Sequence, residues 1–289
     1  MAGSSAPLRR LGAELRRLRL AAGRTQTDVG AAIDRTHATL VNWERGKTKI
    51  SKSDLVCLLA ELRAPLDVRK ALEQLREECG QGTSPWVIYG LPDWFRPFVS
   101  FEEDAIAETT FQPVIIDGLL QTEDYARAVL LAARQVVASS AVDNRVAARI
   151  QRQQRLADPD PLRFHTVITE AALRLEVGGP AVMTVQLERL LEAVSAEHIT
   201  IQVLPFTNAE HAGIASNFTV LHFADAVADP PLGYFDTPLV GYVISDAGDV
   251  AAMVHMFDDL CESALSPAES AGMLAAILDE YRRKGGTHA

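Results

Sequence analysis

His37, Ala38, Val41, Asn42 and Arg45 fall on one face at helical spacing, and no other residues in this 289-residue chain fit a defined chemistry so well. Small side chains let a helix approach a base-pair edge, and hydrogen-bonding ones read it. Asn42 can offer an acceptor to adenine N6 and a donor to N7, and His37 can donate to a guanine or thymine acceptor. Ala38 and Val41 can pack on a thymine methyl. Arg45 ends the face with a cation, and Lys47 and Lys49 follow in the next loop, where a phosphate backbone passes. Gln26, at the first position of the preceding helix, has a side chain free to clamp a phosphate. The implied chemistry is sequence-specific contact with double-stranded DNA. Arg35, Thr36 and Thr39, at the entrance to the reading helix, belong to the same DNA-facing set.

Two short helices must hold that face. Thr25 caps the first, whose apolar side is Val29 and Ile33; Thr36 opens the second, whose apolar side is Leu40 and Trp43. Asp34-Arg35 between them is a polar break of the length a helix-turn-helix allows. Arg19, on the preceding helix, and Glu44, at the end of the second, are placed to pair. Residues 52–62 and 66–79 read as two further helices. Charge follows the same division. Residues 1–63 hold twelve Lys/Arg against six Asp/Glu, although the whole chain carries a net charge of -10. A basic head on an acidic body concentrates attraction for phosphate at one end. One module of this kind reads few base pairs, so a homodimer on a pseudo-palindromic operator is the natural arrangement.

The length and the 48% hydrophobic content support two domains with real cores. The expected architecture is an all-α, five-helix N-terminal domain over 1–79, a junction over 80–97 and an α+β domain over 98–289. In the last, strands are expected at 105–111, 162–169, 200–204, 218–223 and 242–244. Helices are expected after the cap Thr122 to about residue 137, and at 141–157, 180–195, 249–264 and 267–283. The junction's aromatics are expected to dock between domains. Cys57 is expected to pack as a small hydrophobe on the fourth helix, and Met253, Met256 and Phe257 to be core. His165, Glu170, His211, His222 and Asp225 are scattered without metal-ligand spacing, and there is neither a phosphate loop nor a nucleophile elbow. No catalytic residue, metal or cofactor is therefore expected, and the protein reads as a non-enzyme. Without a leader or a run of eighteen apolar residues, no membrane association is expected, and the location reads as cytoplasmic and nucleoid-associated.

Residues 8–62 resemble the DNA-binding domain of the Xre and phage-repressor family, through Thr25-Gln26, Val29-Gly30, Thr36, Thr39-Leu40 and Trp43-Glu44-Arg45-Gly46. The resemblance implies a phosphate contact for Gln26, base readout for His37, Ala38 and Asn42, and a structural ion pair for Arg19 and Glu44. Two residues depart from its pattern. The turn glycine is Asp34, which tolerates a left-handed conformation better than most residues. The alanine of the second helix is Gly30, at a cost of up to ~1 kcal/mol in helix propensity. The run 116–127, with Thr169–Arg174, Gly178-Gly179-Pro180 and Gln202–Phe206, is similar to the C-terminal domain of WhiJ-like, antitoxin-like transcriptional regulators of actinobacteria. That likeness implies a regulator whose relatives accompany a small partner protein. Pro231–Phe235 departs from the pattern, marking where an individual partner or ligand is distinguished.

Three readings follow. The first is a dimeric transcription factor whose C-terminal domain senses a small-molecule effector or a protein. The second is an antitoxin-like protein that binds a small partner and autoregulates its operon. The third is an enzyme with a DNA-targeting head. A closed apolar pocket of several hundred Å³ would mark the first, and convergent carboxylates with shifted pKa values the third.

Overall fold

The computed structural model describes residues 6–79, 86, 89–133, 137–208, 210, 211, 213, 217–227 and 229–286. The chain forms two compact units. One comprises Met1–Val87 with Ala224–Pro230, the other Ile88–Phe223 with Pro231–Ala289. Residues 80–85, 87 and 88 of the junction lie outside the described residues. Its end is not irregular, because a helix opens at Arg96.

The first unit is five helices: α1 Ala6–Ala21, α2 Gln26–Ala32, α3 His37–Glu44, α4 Lys52–Glu61 and α5 Leu66–Glu78. Their starts are set by capping side chains. The Thr25 hydroxyl accepts from Asp28 N in a reciprocal capping box, and Thr36 and Ser51 accept from Thr39 N and Asp54 N. Leu11, Leu15 and Leu18 of α1 meet Val29, Leu40, Trp43, Leu55, Leu58 and Leu59 in one buried core. Cys57 is exposed, because α4 turns Leu55, Leu58 and Leu59 inward and places residue 57 on its outer side; the expected core packing is not found. Asp34 takes the left-handed turn conformation at φ 57. Gly30 is not a simple loss of helix propensity: a Cβ there would lie 2.7 Å from the Arg35 carbonyl oxygen.

The second unit is built on a six-stranded sheet of order β3-β2-β1-β4-β5-β6. Its strands are β1 Ala107–Gln112, β2 Arg163–Thr169, β3 Ile199–Leu204, β4 Phe218–His222, β5 Leu232–Asp236 and β6 Gly241–Ile244. β1, β2 and β3 run parallel; β4, β5 and β6 continue antiparallel. Helices α6 Arg96–Asp104, α7 Glu123–Ala132, α8 Val142–Arg152, α9 Glu170–Arg174, α10 Pro180–Ala193, α11 Ala247–Ser263 and α12 Pro267–Gly286 complete it. The expected α+β class is observed, with α6, α9 and β5 added to the expected elements.

The two faces of this sheet differ in chemistry. Phe111, Val167 and Val220 face one way and pack with Val250, Met253 and Phe257 of α11 into an apolar core. Residues one step along point the other way. There the register aligns Thr166, Thr110, Thr219 and Tyr234 across four strands, flanked by Glu108 and Gln112, and this polar row is buried.

Candidate nucleic-acid interface

Glu44 closes the reading helix and ties three helices together. Its Oε1 accepts from Arg19 Nε at 2.5 Å and its Oε2 from Arg19 Nη2 at 2.8 Å. Gln26 Nε2 donates to the same Oε2 at 2.7 Å, and Arg19 Nη1 donates to the Arg24 carbonyl at 2.9 Å. Arg19 and Glu44 are 7% and 8% exposed, so removing one partner would strand the other's charge away from water. The hydrogen bonds to Glu44 hold the Arg19 guanidinium above its usual pKa. One amide hydrogen of Gln26 is thus committed to Glu44, so its side chain is not free; the second amide hydrogen and the backbone N–H at the start of α2 are its donors for a phosphate.

The outward side of α3 is built as its sequence requires. Leu40 and Trp43 face the core, while His37, Ala38 and Arg45 are exposed and Val41 and Asn42 are half-buried. Gly46 ends the helix at φ 59, where a Cβ would lie 2.8 Å from Arg9 Cα. Lys47 N then donates to the Asn42 carbonyl at 2.8 Å, which fixes the loop that exposes Lys47 and Lys49. At the other end, Thr36 Oγ1 and Thr39 Oγ1 lie 2.9 Å apart, occupied with helix entry. Arg35 reaches Asp54 at 2.8 Å and is anchored toward α4.

An open cleft of about 640 Å³ runs beside this face, lined by Arg16 and Arg19 of α1, residues 23–27 at the entry to α2, His37 and Val41 of α3, and Arg45 at its C-terminal cap. Arg16 and Arg24 are its cations that the motif reading missed. The local signal was the cluster of arginines in α1 and its turn, which by itself reads as a solvated helix face.

Elsewhere the candidate residues His165, Glu170, His222 and Asp225 lie on separate elements, although His165 Nε2 lies 3.7 Å from Cys261 Sγ. His165 lies on β2, 2.8 Å from Gln202 Oε1 and edge-on to Phe257. His222 lies on β4, and Glu170 pairs with Arg174. Asp225 falls in the Ala224–Pro230 segment of the first unit. Among the described residues, no three His, Cys, Asp or Glu form a group that could hold a metal. The second unit does gather carboxylates, however. Burial raises the pKa values of Glu102, Glu108, Asp117 and Asp236, the condition set above for an enzyme. The cavity beside Asp117 and Asp236 is polar and about 110 Å³, not the apolar pocket of several hundred Å³ set for a sensor.

A capped helix pair joined by a left-handed turn, with a cation-flanked outer face, defines a DNA-binding regulator of the helix-turn-helix class. Residues 10–72 match the family described as a helix-turn-helix domain. Residues 95–276 match a domain of unknown function (DUF5753), and the chain belongs to that family. No curated protein and no solved structure matches the chain. Among the described residues, no helix is long and apolar enough to cross a membrane.

Proposed function

We propose that the protein is a sequence-specific transcriptional regulator of the Xre type that binds a pseudo-palindromic operator as a homodimer, its C-terminal domain sensing an effector. The observation that carries this reading is the face of α3: His37, Ala38 and Arg45 exposed, Asn42 half-buried, with Lys47 and Lys49 behind them. Asn42 and His37 read base edges, and Arg45, Lys47 and Lys49 neutralise phosphates. Two copies supply the half-sites that one short helix cannot.

The chain path supports an effector link. After β4, Ala224–Pro230 belongs to the first unit, where Asp229 accepts from Arg10 Nε at 2.8 Å. Two residues beyond Pro230 the chain enters β5. A change at β5 therefore has a covalent route to a residue paired with α1. The C-terminal domain acts by binding an effector, for which its polar cavity is the candidate site. Selection from a pool of randomised duplexes tests the regulator reading. The purified protein enriches a two-fold-related pair of half-sites, and recovery of unenriched sequence at low ionic strength would defeat it.

A further inference from the structure

The 110 Å³ cavity of the second unit lies on the polar face of the sheet, and side chains of both charge signs line it. Arg152 is already neutralised there, held by both oxygens of Glu102. Arg149 is not. Its one hydrogen bond among the described residues goes to the neutral carbonyl of Gln121, at 2.6 Å, and it makes no ion pair. A guanidinium has five donors, so most of its capacity is not taken up by hydrogen bonds among the described residues, and the side chain lines the cavity. Burial, and then the neighbouring Arg152, lower its pKa to about 10, against the opposing pull of Asp117 and Asp236.

The carboxylates across the cavity take their hydrogen bonds from neutral donors, with Arg152 near both and Arg149 near Asp117 as through-space cations only. Asp236 accepts from Asn217 Nδ2 at 3.1 Å, and Asp117 from Leu119 N at 2.8 Å and Gln112 Nε2 at 3.2 Å. Phe98 stacked on Tyr234 at 4.1 Å forms an apolar wall. The space equals roughly four waters, well below a drug-sized site. A ligand that satisfies these groups must bring an anion for Arg149 and a cation for Asp236 within a few heavy atoms.

We propose that this cavity binds a small zwitterion of α-amino-acid size, its carboxylate on Arg149 and its ammonium on Asp236. The assignment rests on the effector-sensing reading and names the effector's class. Specificity follows from requiring both charged ends, because a ligand lacking one leaves a buried charge unpaired.

Isothermal titration of the full-length protein with individual L-amino acids tests it, with acetate, inorganic phosphate and ethylamine as single-charge probes. At least one amino acid should bind, and each single-charge probe should bind at least about thirtyfold more weakly. Arg149→Met should weaken the best amino acid by a similar factor. Gly118→Ala is a second variant that keeps every charge. Its methyl would sit 3.3 Å from Arg152 Nη1 and 3.7 Å from Arg149 Nε, and it should weaken binding with little effect on the ligand-free melting temperature. Absence of binding by every amino acid at millimolar concentration would overturn the proposal, as would a single-charge probe binding as tightly as the best amino acid. Duplex selection on the same preparation separates the two failures. An enriched operator without amino-acid binding removes the cavity assignment and leaves the regulator standing; amino-acid binding without enrichment does the reverse.

Discussion

Arg19 grips Glu44 through two parallel hydrogen bonds, so the C-terminal end of the reading helix is fixed to α1 by a nearly dry ion pair. Gln26 adds a third bond to the same carboxylate, and the orientation of α3 depends on this junction as much as on Leu40 and Trp43. Arg19→Met should therefore cost about 3–5 kcal/mol, because Glu44 is left buried without its partner. Arg19→Met with Glu44→Gln should recover part of that loss. Urea unfolding followed by tryptophan fluorescence measures both; a loss below about 1 kcal/mol for the single variant would place the pair among ordinary surface bridges.

Gly30→Ala should destabilise the first unit by about 1–3 kcal/mol, although alanine is the better helix former by ~1 kcal/mol. The added methyl meets the Arg35 carbonyl across the turn, and backbone there cannot move without disturbing Asp34. A rise in melting temperature would show that the turn yields.

Lys47→Ala and Lys49→Ala should weaken binding to every duplex alike. Each should flatten the dependence of log K on log salt by about one unit. A loss confined to one sequence would mean that these lysines read bases.

Glu108 is 1% exposed with Oε2 unpartnered, and burial pushes its pKa well above the usual carboxylate range. A carboxyl raised on folding costs nothing below its unfolded pKa, and its penalty grows as pH rises past that value toward the folded one. Glu108→Gln should therefore leave the melting temperature nearly unchanged near pH 4.5 and raise it progressively toward neutral and mildly alkaline pH. An equal shift at both ends would assign the effect to packing instead of titration.

The reading head was legible because its determinants are local. Caps at Thr25 and Thr36, the left-handed Asp34 and the Arg19–Glu44 pair all lie within a few turns of one another, and each residue type announces its role. The cavity was not. Glu108, Thr110 and Gln112 alternate along β1 as residues of a solvated strand face would, and only register with Thr219 and Tyr234 shows the row to be buried. Arg149 and Arg152 were equally ordinary on a basic amphipathic helix. β5 escaped notice because Gly233 and the prolines before it weaken a strand signal. Cys57 failed for a narrower reason: a run of apolar residues on α4 does not say which of them turns inward.

The central claim is that the outer side of α3 reads base edges, and Asn42→Ala tests it most directly. Affinities of the native and variant proteins should be measured on the selected operator and on every single-base replacement of it. The variant should lose about 1–3 kcal/mol on the operator and lose discrimination at one position per half-site, with the other positions unchanged. Uniform weakening across all replacements, or unchanged affinity throughout, would contradict it.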